Sequence, residues 1–328
     1  MRLRRPDENS EPARVDLEAD IVAYVDRPRC RLFLEEGVVR FENTNVIVRT
    51  KSTSEVSREH LGPLSITFAT RGRRICMLDG RRMAVDEDSY LVSNLGQHVA
   101  ESSEGDEGAE SILAGFWPGF AEDVLRSLVT PADQLLDNAS APRFQPVEFF
   151  PQLYPRDDLV SPLLEELACV IEAGGVQRGW LEEWNHRVLV RLLQAHRRIG
   201  EQIQVLPGAR ASTRAEYYRR LNRARDFMES CLEAPLDLRQ ISGEAFMSPH
   251  HFLRLFKHVF KETPHQYLTR RRIERAQRLL IQTDLPVTEI CYQVGFESLG
   301  SFSWLFRKRV GQSPDQYRRE RRVRRFVR

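Results

Sequence analysis

What this sequence of 328 residues lacks narrows it first. No uninterrupted apolar stretch approaches the roughly 18 residues that span a bilayer. The opening segment, Met1 to Asp20, is charged and carries no apolar core of a secretory leader. Both absences point to a cytoplasmic chain with no membrane partner. The five cysteines (Cys30, Cys76, Cys169, Cys231 and Cys291) are far apart, form no C-x-x-C and are mostly flanked by apolar residues. They read as buried thiols, with no metal, cofactor or redox role expected. A surplus of charge is missing too, since 49 Lys+Arg stand against 47 Asp+Glu for a net +2.

That near-zero balance conceals a polarity. Arg214 to Arg328 holds 24 Lys+Arg against 13 Asp+Glu, a balance of +11, which leaves 25 against 34, or −9, for Met1 to Thr213. A basic third beside an acidic remainder fits a nucleic-acid-binding module joined to one that stays off nucleic acid. Taken alone, an Arg-rich run such as Arg318 to Arg328 would read equally well as a solvated helix face.

The basic third contains one pattern written twice. Phe252, Phe256, Pro264 and Tyr267 recur fifty positions later as Phe302, Phe306, Pro314 and Tyr317, while Leu238 and Ile241 recur forty-nine later as Val287 and Ile290. In each copy a short helix leads through a turn, Phe246-Met247-Ser248 or Gly295-Phe296-Glu297-Ser298, into a second helix whose two Phe, four apart, share one face. The second turn is one residue longer, which changes the offset. Each copy is thus a helix-turn-helix. Ser248 and Ser298 suit the N-caps of the second helices, and Pro249 suits the first helical position. Phe252, Leu255, Phe256 and Val259 should face the core in copy one, and Phe302, Leu305, Phe306 and Val310 in copy two. The opposite faces carry His250, Arg254 and Lys257, or Ser301, Trp304, Arg307 and Lys308. An aromatic inner side with a basic, hydrogen-bonding outer side is the composition of a helix that reads the major groove.

From about Tyr217 to Arg325 the chain resembles the DNA-binding domain of AraC/XylS-type bacterial transcription regulators. The resemblance rests on Ser248-Pro249-His250-His251-Phe252-Leu253-Arg254-Leu255-Phe256-Lys257, on Ile290-Cys291-Tyr292-Gln293-Val294-Gly295-Phe296-Glu297-Ser298, and on Gly311-Gln312-Ser313-Pro314-Asp315-Gln316-Tyr317-Arg318. It implies an operator in double-stranded DNA, contacted by His250, His251, Leu253, Arg254 and Lys257 in copy one and by Gly300, Ser301, Ser303, Trp304 and Arg307 in copy two. Ile241, Phe252, Phe256, Tyr267, Ile290, Gly295, Phe296, Phe302, Phe306 and Tyr317 would form the structural core. Three departures from the family pattern bear on which DNA sequence is preferred, not on the fold. Lys261 stands where copy two keeps Gly311, Phe246 replaces a turn glycine, and Gly300 and Trp304 occupy positions where polar or basic readers are frequent. Pro264 to Thr283 should form the long helix joining the copies, and its Arg270, Arg271, Arg275 and Arg278 read as a face that positions phosphates.

The acidic remainder has a different texture. Met1 to Asp20 is mostly polar and reads as a flexible arm. Strand-length pieces follow at Arg31 to Leu34, Gly37 to Phe41, Asn45 to Arg49, Leu64 to Thr70, Arg73 to Leu78, Arg81 to Val85 and Tyr90 to Ser93. Around Asp79-Gly80, Ile75 and Met77 alternate before the turn and Met83 and Val85 after it, as in a hairpin with a type I′ turn. Short antiparallel strands imply a sandwich or barrel. The segment Gly62 to Glu101, with a strand ending near His98, is similar to the cupin-like barrel that senses effectors in the named family. Metal-dependent cupin enzymes show an H-x-H pair with further ligands, whereas His60 and His98 stand isolated here. A cupin enzyme with an accessory DNA-binding tail is therefore the remote reading. A short helix is expected over Phe120 to Val129. Two amphipathic helices, Asp158 to Ala173 and Gln177 to Ile203, form an antiparallel hairpin, with Asp157 and Asp158 at a helix N-terminus and Gly174-Gly175 as the stop. From pattern alone their apolar stripes serve either core or dimer, and the resemblance implies dimer contacts.

The expectation is an α+β protein of two domains, an N-terminal cupin-like β-barrel with a helical hairpin and an all-α C-terminal double helix-turn-helix domain. Its segments are a flexible arm (1–20), a sensor barrel (21–155), the hairpin as candidate dimerisation element (156–203), a linker (204–213) marked by Pro207 and Gly208, and the DNA-binding domain (214–328). The resemblance implies a homodimeric transcription activator, not an enzyme, that works with RNA polymerase and answers to a small-molecule effector. A regulator governed by a protein partner, such as an anti-activator, is the alternative.

Overall fold

Two units compose the chain, Met1–Val205 and Leu206–Arg328. The structure is a computed structural model and describes residues 14–18, 21–27, 31–35, 38–42, 44–51, 59–102, 109–130, 146–208 and 210–326.

The first unit contains strands β1 (Arg14–Glu18), β2 (Ile21–Val25), β3 (Arg31–Glu35), β4 (Val38–Glu42), β5 (Val46–Lys51), β6 (His60–Leu61), β7 (Leu64–Arg71), β8 (Arg73–Leu78), β9 (Arg81–Asp86), β10 (Ser89–Ser93), β11 (His98–Ser102), β12 (Glu110–Phe116) and β13 (Leu153–Pro155). Helices α1 (Phe120–Val129), α2 (Ser161–Glu172) and α3 (Arg178–Gln204) accompany them. The sheets run β1-β2-β5-β12-β7-β10-β13, β6-β11-β8-β9 and β3-β4. Among the described residues these sheets stay open, so the barrel closure that the resemblance implies is not among their pairings.

The hairpin signal is realised. Asp79 and Gly80 take φ of 49° and 72°, the two left-handed residues that a type I′ turn demands, and β8 pairs with β9 across them. The larger two sheets share a core in which Cys76, Leu78, Met83 and Val85 of one meet Leu91 and Leu153 of the other. The small β3-β4 sheet lies against the seven-stranded one, where Leu32, Val39 and Phe41 pack on Ala23, Val46 and Val48. Gly115 makes that approach possible, since a Cβ there would sit 3.0 Å from the Phe41 ring.

Several expectations need correction. Arg14–Glu18, assigned to the arm by its polarity, pairs antiparallel with β2; Val15 and Leu17 alternate with charged residues, which is a strand pattern. Residues 1–13 and 19–20 of the arm lie outside the described residues. The strand expected to end near His98 begins there. Buried thiols hold for Cys76, whose pKa burial pushes up to about 12, and for Cys291. Cys231 is half-buried and Cys169 exposed, the latter on the outer face of α2, while Cys30 lies outside the described residues.

The helical hairpin is fastened to the sheets. Asp157 holds the turn leading into α2, accepting from the backbone N–H of Leu159, Val160 and Ser161 at 3.0, 2.7 and 3.2 Å, the last of them a free amide of the helix's first turn. Leu164, Leu167 and Ile171 of α2, with Leu181, Trp184, Val188 and Leu192 of α3, are buried within the unit. Asn185 on α3 donates to buried Asp26 at 3.1 Å, and Asp26 also accepts from Thr44 and Asn45. The apolar stripes are therefore core.

The second unit is all helical, with α4 (Ala211–Ser230), α5 (Leu238–Glu244), α6 (Pro249–Phe260), α7 (Pro264–Gln282), α8 (Val287–Gln293), α9 (Leu299–Val310) and α10 (Pro314–Phe326). α4 begins inside the expected linker because the Pro207-Gly208 break ends early and Ala211, Arg214 and Ala215 favour helix. Among the described residues no helix is long and apolar enough to cross a membrane.

Candidate nucleic-acid interface

Two helix pairs, α5–α6 and α8–α9, carry the repeated pattern. Asp237 and Gln240 form a capping box at the start of α5, each side chain accepting from the other's backbone N–H. Ser298 caps α9, its Oγ accepting from the Ser301 N–H at 3.2 Å. Ser248 occupies the matching position before α6 but makes no side-chain cap bond. Pro249 removes one of the free amides and presets the helical φ, so the helix starts at the expected residue without that bond.

The inner faces repeat closely. Phe252 and Phe256 are 5.3 Å apart between ring centroids and Phe256 meets Tyr267 edge-on at 5.8 Å, while Phe302–Phe306 and Phe306–Tyr317 give 5.7 and 5.6 Å. Such aromatic pairs, the last three edge-to-face, contribute beyond the area that each ring buries. Ile241 and Ile290 are buried under these rings, and Phe296 packs on Phe302 at 5.3 Å. Of the core residues expected from the sequence, Ile241, Phe252, Phe256 and Tyr267 sit in one cluster and Ile290, Phe302, Phe306 and Tyr317 in the other, with half-buried Phe296 packed against the second and Gly295 half-buried in the turn beside it. Leu255 is buried with its ring neighbours, whereas Val259, Leu305 and Val310 are half-buried at the cluster edges.

The outer faces differ between copies. On α6, His250, Arg254 and Lys257 are exposed, and His251 and Leu253 are half-buried. His251 lies edge-on to Tyr217 at 5.4 Å with Nδ1 3.3 Å from the Arg254 guanidinium, which places both side chains on one patch. On α9, Gly300, Ser301, Trp304 and Arg307 are exposed and Ser303 is half-buried. Trp304, 62% exposed, carries the Lys308 ammonium 4.8 Å from its ring centroid. It covers no core edge. Phe246, 64% exposed at a left-handed φ of 51°, lies under Arg223 at 4.9 Å. Lys261 takes the same left-handed conformation, φ 61°, that Gly311 takes in copy two, so the missing glycine changes the side chain and not the path of the backbone.

On the face of α7 read as positioning phosphates, Arg270, Arg271 and Arg275 are held in ion pairs within the domain. Arg270 pairs with Glu262 at 2.8 Å and Glu274 at 3.0 Å; burial alone would lower its pKa, yet these two carboxylates outweigh it and raise it. Arg271 pairs with Glu229 at 2.7 Å and Glu274 at 2.8 Å, and Arg275 with Glu233. Glu229 also accepts from the Tyr267 hydroxyl at 2.5 Å, and burial followed by that carboxylate pushes the Tyr267 pKa well up. The physical reason is that acids on and just after α4 (Glu229, Glu233), in the α6–α7 turn (Glu262) and on α7 itself (Glu274) face these arginines. One further residue escaped the sequence reading: Arg272 donates to the backbone carbonyls of Leu232 and Ala234 at 2.8 and 2.7 Å. The i, i+4 pair Glu229 and Glu233 opposite Arg271 and Arg275 was the available signal for this polar seam.

A family model described as "Helix-turn-helix domain" matches residues 241–320. The chain is similar to "Probable transcriptional regulator LumQ" of Photobacterium leiognathi, 34% identical over 92 residues that cover 28% of this chain and 37% of that protein. It is also similar to "HTH-type transcriptional regulator Rv1931c" of Mycobacterium tuberculosis, 40% identical over 80 residues that cover 24% of this chain and 31% of that one. The matches span less than half the length of such relatives. Among solved structures, a transcriptional regulator of Chromobacterium violaceum described as containing an AraC-type DNA-binding domain is 31% identical, covering 33% of this chain and 96% of that one with a TM-score of 0.31.

Proposed function

We infer, from a chain whose carboxyl-terminal domain belongs to the AraC/XylS family of helix-turn-helix regulators, that it binds double-stranded DNA sequence-specifically and regulates bacterial transcription. The duplication carries this reading. Two helices with buried aromatic inner faces and exposed polar outer faces suit a target that presents the same groove twice, as a duplex does every helical turn of roughly 34 Å. Arg254 is the principal reader, because its guanidinium can donate two hydrogen bonds to a guanine edge. His250, His251, Leu253 and Lys257 complete the first surface. Gly300, Ser301, Ser303, Trp304 and Arg307 make the second.

In this reading the first unit senses a small-molecule effector and biases DNA binding, and the protein acts as a homodimeric activator that engages RNA polymerase. The −9 balance of Met1 to Thr213 supports a unit that stays off DNA. A second reading, control by a protein partner, is favoured by Leu61 and Leu95. Both are exposed, Leu61 at the end of β6 and Leu95 in the turn before β11, and the two segments are joined where Gly62 donates to the Gln97 carbonyl and Gly96 to the Gly62 carbonyl, each at 2.9 Å. Large exposed apolar side chains on joined segments are what a protein partner covers.

Genome-wide mapping of bound sites in the native bacterium tests the proposal. It should find a shared two-box sequence upstream of a few genes whose transcripts fall when the regulator is deleted. Rising transcripts would contradict activation, and binding without a shared sequence would contradict specific recognition.

A further inference from the structure

The two helix-turn-helix copies stand on separate apolar cores. Met228, Ile241, Phe252 and Phe256 belong to one and Leu280, Ile290, Phe302 and Phe306 to the other, with α7 contributing Tyr267 and Leu268 to the first and Ile273 and Ala276 to the second. Beyond the α7 backbone, polar contacts join them.

The joint is built on the turn 231–234 that follows α4, the helix that supports copy one. Backbone carbonyls in such a turn lie outside any helical ladder and need other donors. Arg272 of α7 supplies them, donating from Nε to the Leu232 carbonyl at 2.8 Å and from a terminal nitrogen to the Ala234 carbonyl at 2.7 Å. The same guanidinium lies 5.9 Å from the ring centroid of Phe296, in the turn of copy two. Beside it Gly295 has φ 88°, and a Cβ there would come within 2.5 Å of the Leu232 carbonyl oxygen, 2.9 Å of the Glu233 oxygen and 3.0 Å of the Arg272 guanidinium carbon. The turn of copy two therefore closes directly on the support of copy one. Arg271 on Glu229 and Arg275 on Glu233 brace this contact on either side.

We propose that Arg272 is a positioning residue that fixes the offset between the two reading helices, and with it the spacing between DNA boxes that the protein accepts. This rests on the regulator reading above. A planar fork can hold two carbonyls and cover a ring at once, whereas a lysine keeps the charge but offers a single point. Inserting one base pair between boxes displaces the second by about 3.4 Å and turns it by roughly 35°, a mismatch that a rigid joint transmits in full and a loosened one absorbs.

The test uses the full-length protein and a duplex bearing the two-box sequence that the wild type enriches from a random pool, with versions one base pair longer or shorter between boxes. Wild type should lose roughly 30-fold or more in affinity on either change. Arg272→Ala should bind the parent duplex about fivefold to tenfold more weakly and show a spacing penalty of only about threefold, with Arg272→Lys in between. If the variants keep the wild-type penalty, or weaken on all three duplexes alike, the proposal is overturned. Should thermal melting show that Arg272→Ala does not fold, Arg272→Lys decides by the same two outcomes. A wild type that enriches no two-box sequence would overturn the regulator reading and this inference together, whereas an unchanged penalty would overturn this inference alone.

Discussion

Phe256 meets Tyr267 edge-on at 5.8 Å, and fifty residues later Phe306 meets Tyr317 in the same way at 5.6 Å. Each contact locks a reading helix to the helix that follows it. Phe256→Ala should therefore cost about 3 to 5 kcal/mol of stability and lose DNA binding through unfolding. Arg254→Ala, two residues away on the exposed face, should leave the melting temperature nearly unchanged while costing about 1 to 3 kcal/mol in binding. Equal losses of melting temperature in the two variants would show that the faces are assigned wrongly.

Trp304 occupies in copy two the position that Arg254 holds in copy one, and its exposure leaves the ring available to a base edge. An indole has one donor and a broad apolar surface, which suits a thymine methyl better than a guanine edge. Replacing thymine by deoxyuridine in the second box removes only that methyl. Wild type should then weaken about threefold to fivefold, and Trp304→Ala should not respond. A response of equal size in both proteins would remove Trp304 from the reading surface.

Salt dependence separates true phosphate binding from the internal ion pairs. The slope of log affinity against log salt falls by about one for each phosphate that a variant no longer neutralises. Arg270→Ala should leave the slope unchanged, because Glu262 and Glu274 already hold that guanidinium. Arg307→Ala, on the exposed face of α9, should reduce it. A lower slope for Arg270→Ala would restore α7 as a phosphate-binding face.

His196 gives the first unit a pH response. Its ring lies between Phe149 and Phe150, at 5.4 and 5.5 Å, and burial lowers its pKa below the ordinary 6.5. The folded state thus resists a proton that the unfolded chain accepts. This contribution to stability is present above about pH 6.5 and is lost as pH falls toward the folded value. Denaturant midpoints at pH 7.5 and pH 5.5 should differ less in His196→Phe than in wild type. An identical pH dependence in the two proteins would contradict the assignment.

The second unit was legible because its apolar period is written twice and punctuated by Pro249, Pro264 and Pro314, each of which opens a helix, the first two at the residue expected. The strands β7 to β10 were legible for a similar reason, alternation bounded by turns. β12 was not, since it lies between β5 and β7 with both faces largely buried, and its short apolar run carries no period. The basic face of α7 misled because ion pairing is tertiary. The acids that neutralise Arg271 and Arg275 sit on and just after α4, 42 residues earlier in the chain, and a helix read alone shows only its own charges. Arg272 was hidden likewise, since its acceptors are backbone carbonyls, which no sequence pattern displays.

The central claim is that two helices of one domain read one face of a duplex. Selection of bound sequences from a random duplex pool by the full-length protein tests it most directly. The enriched sequences should contain two short boxes about 10 base pairs apart, one helical turn. A single short box, or no enrichment over the starting pool, would contradict it.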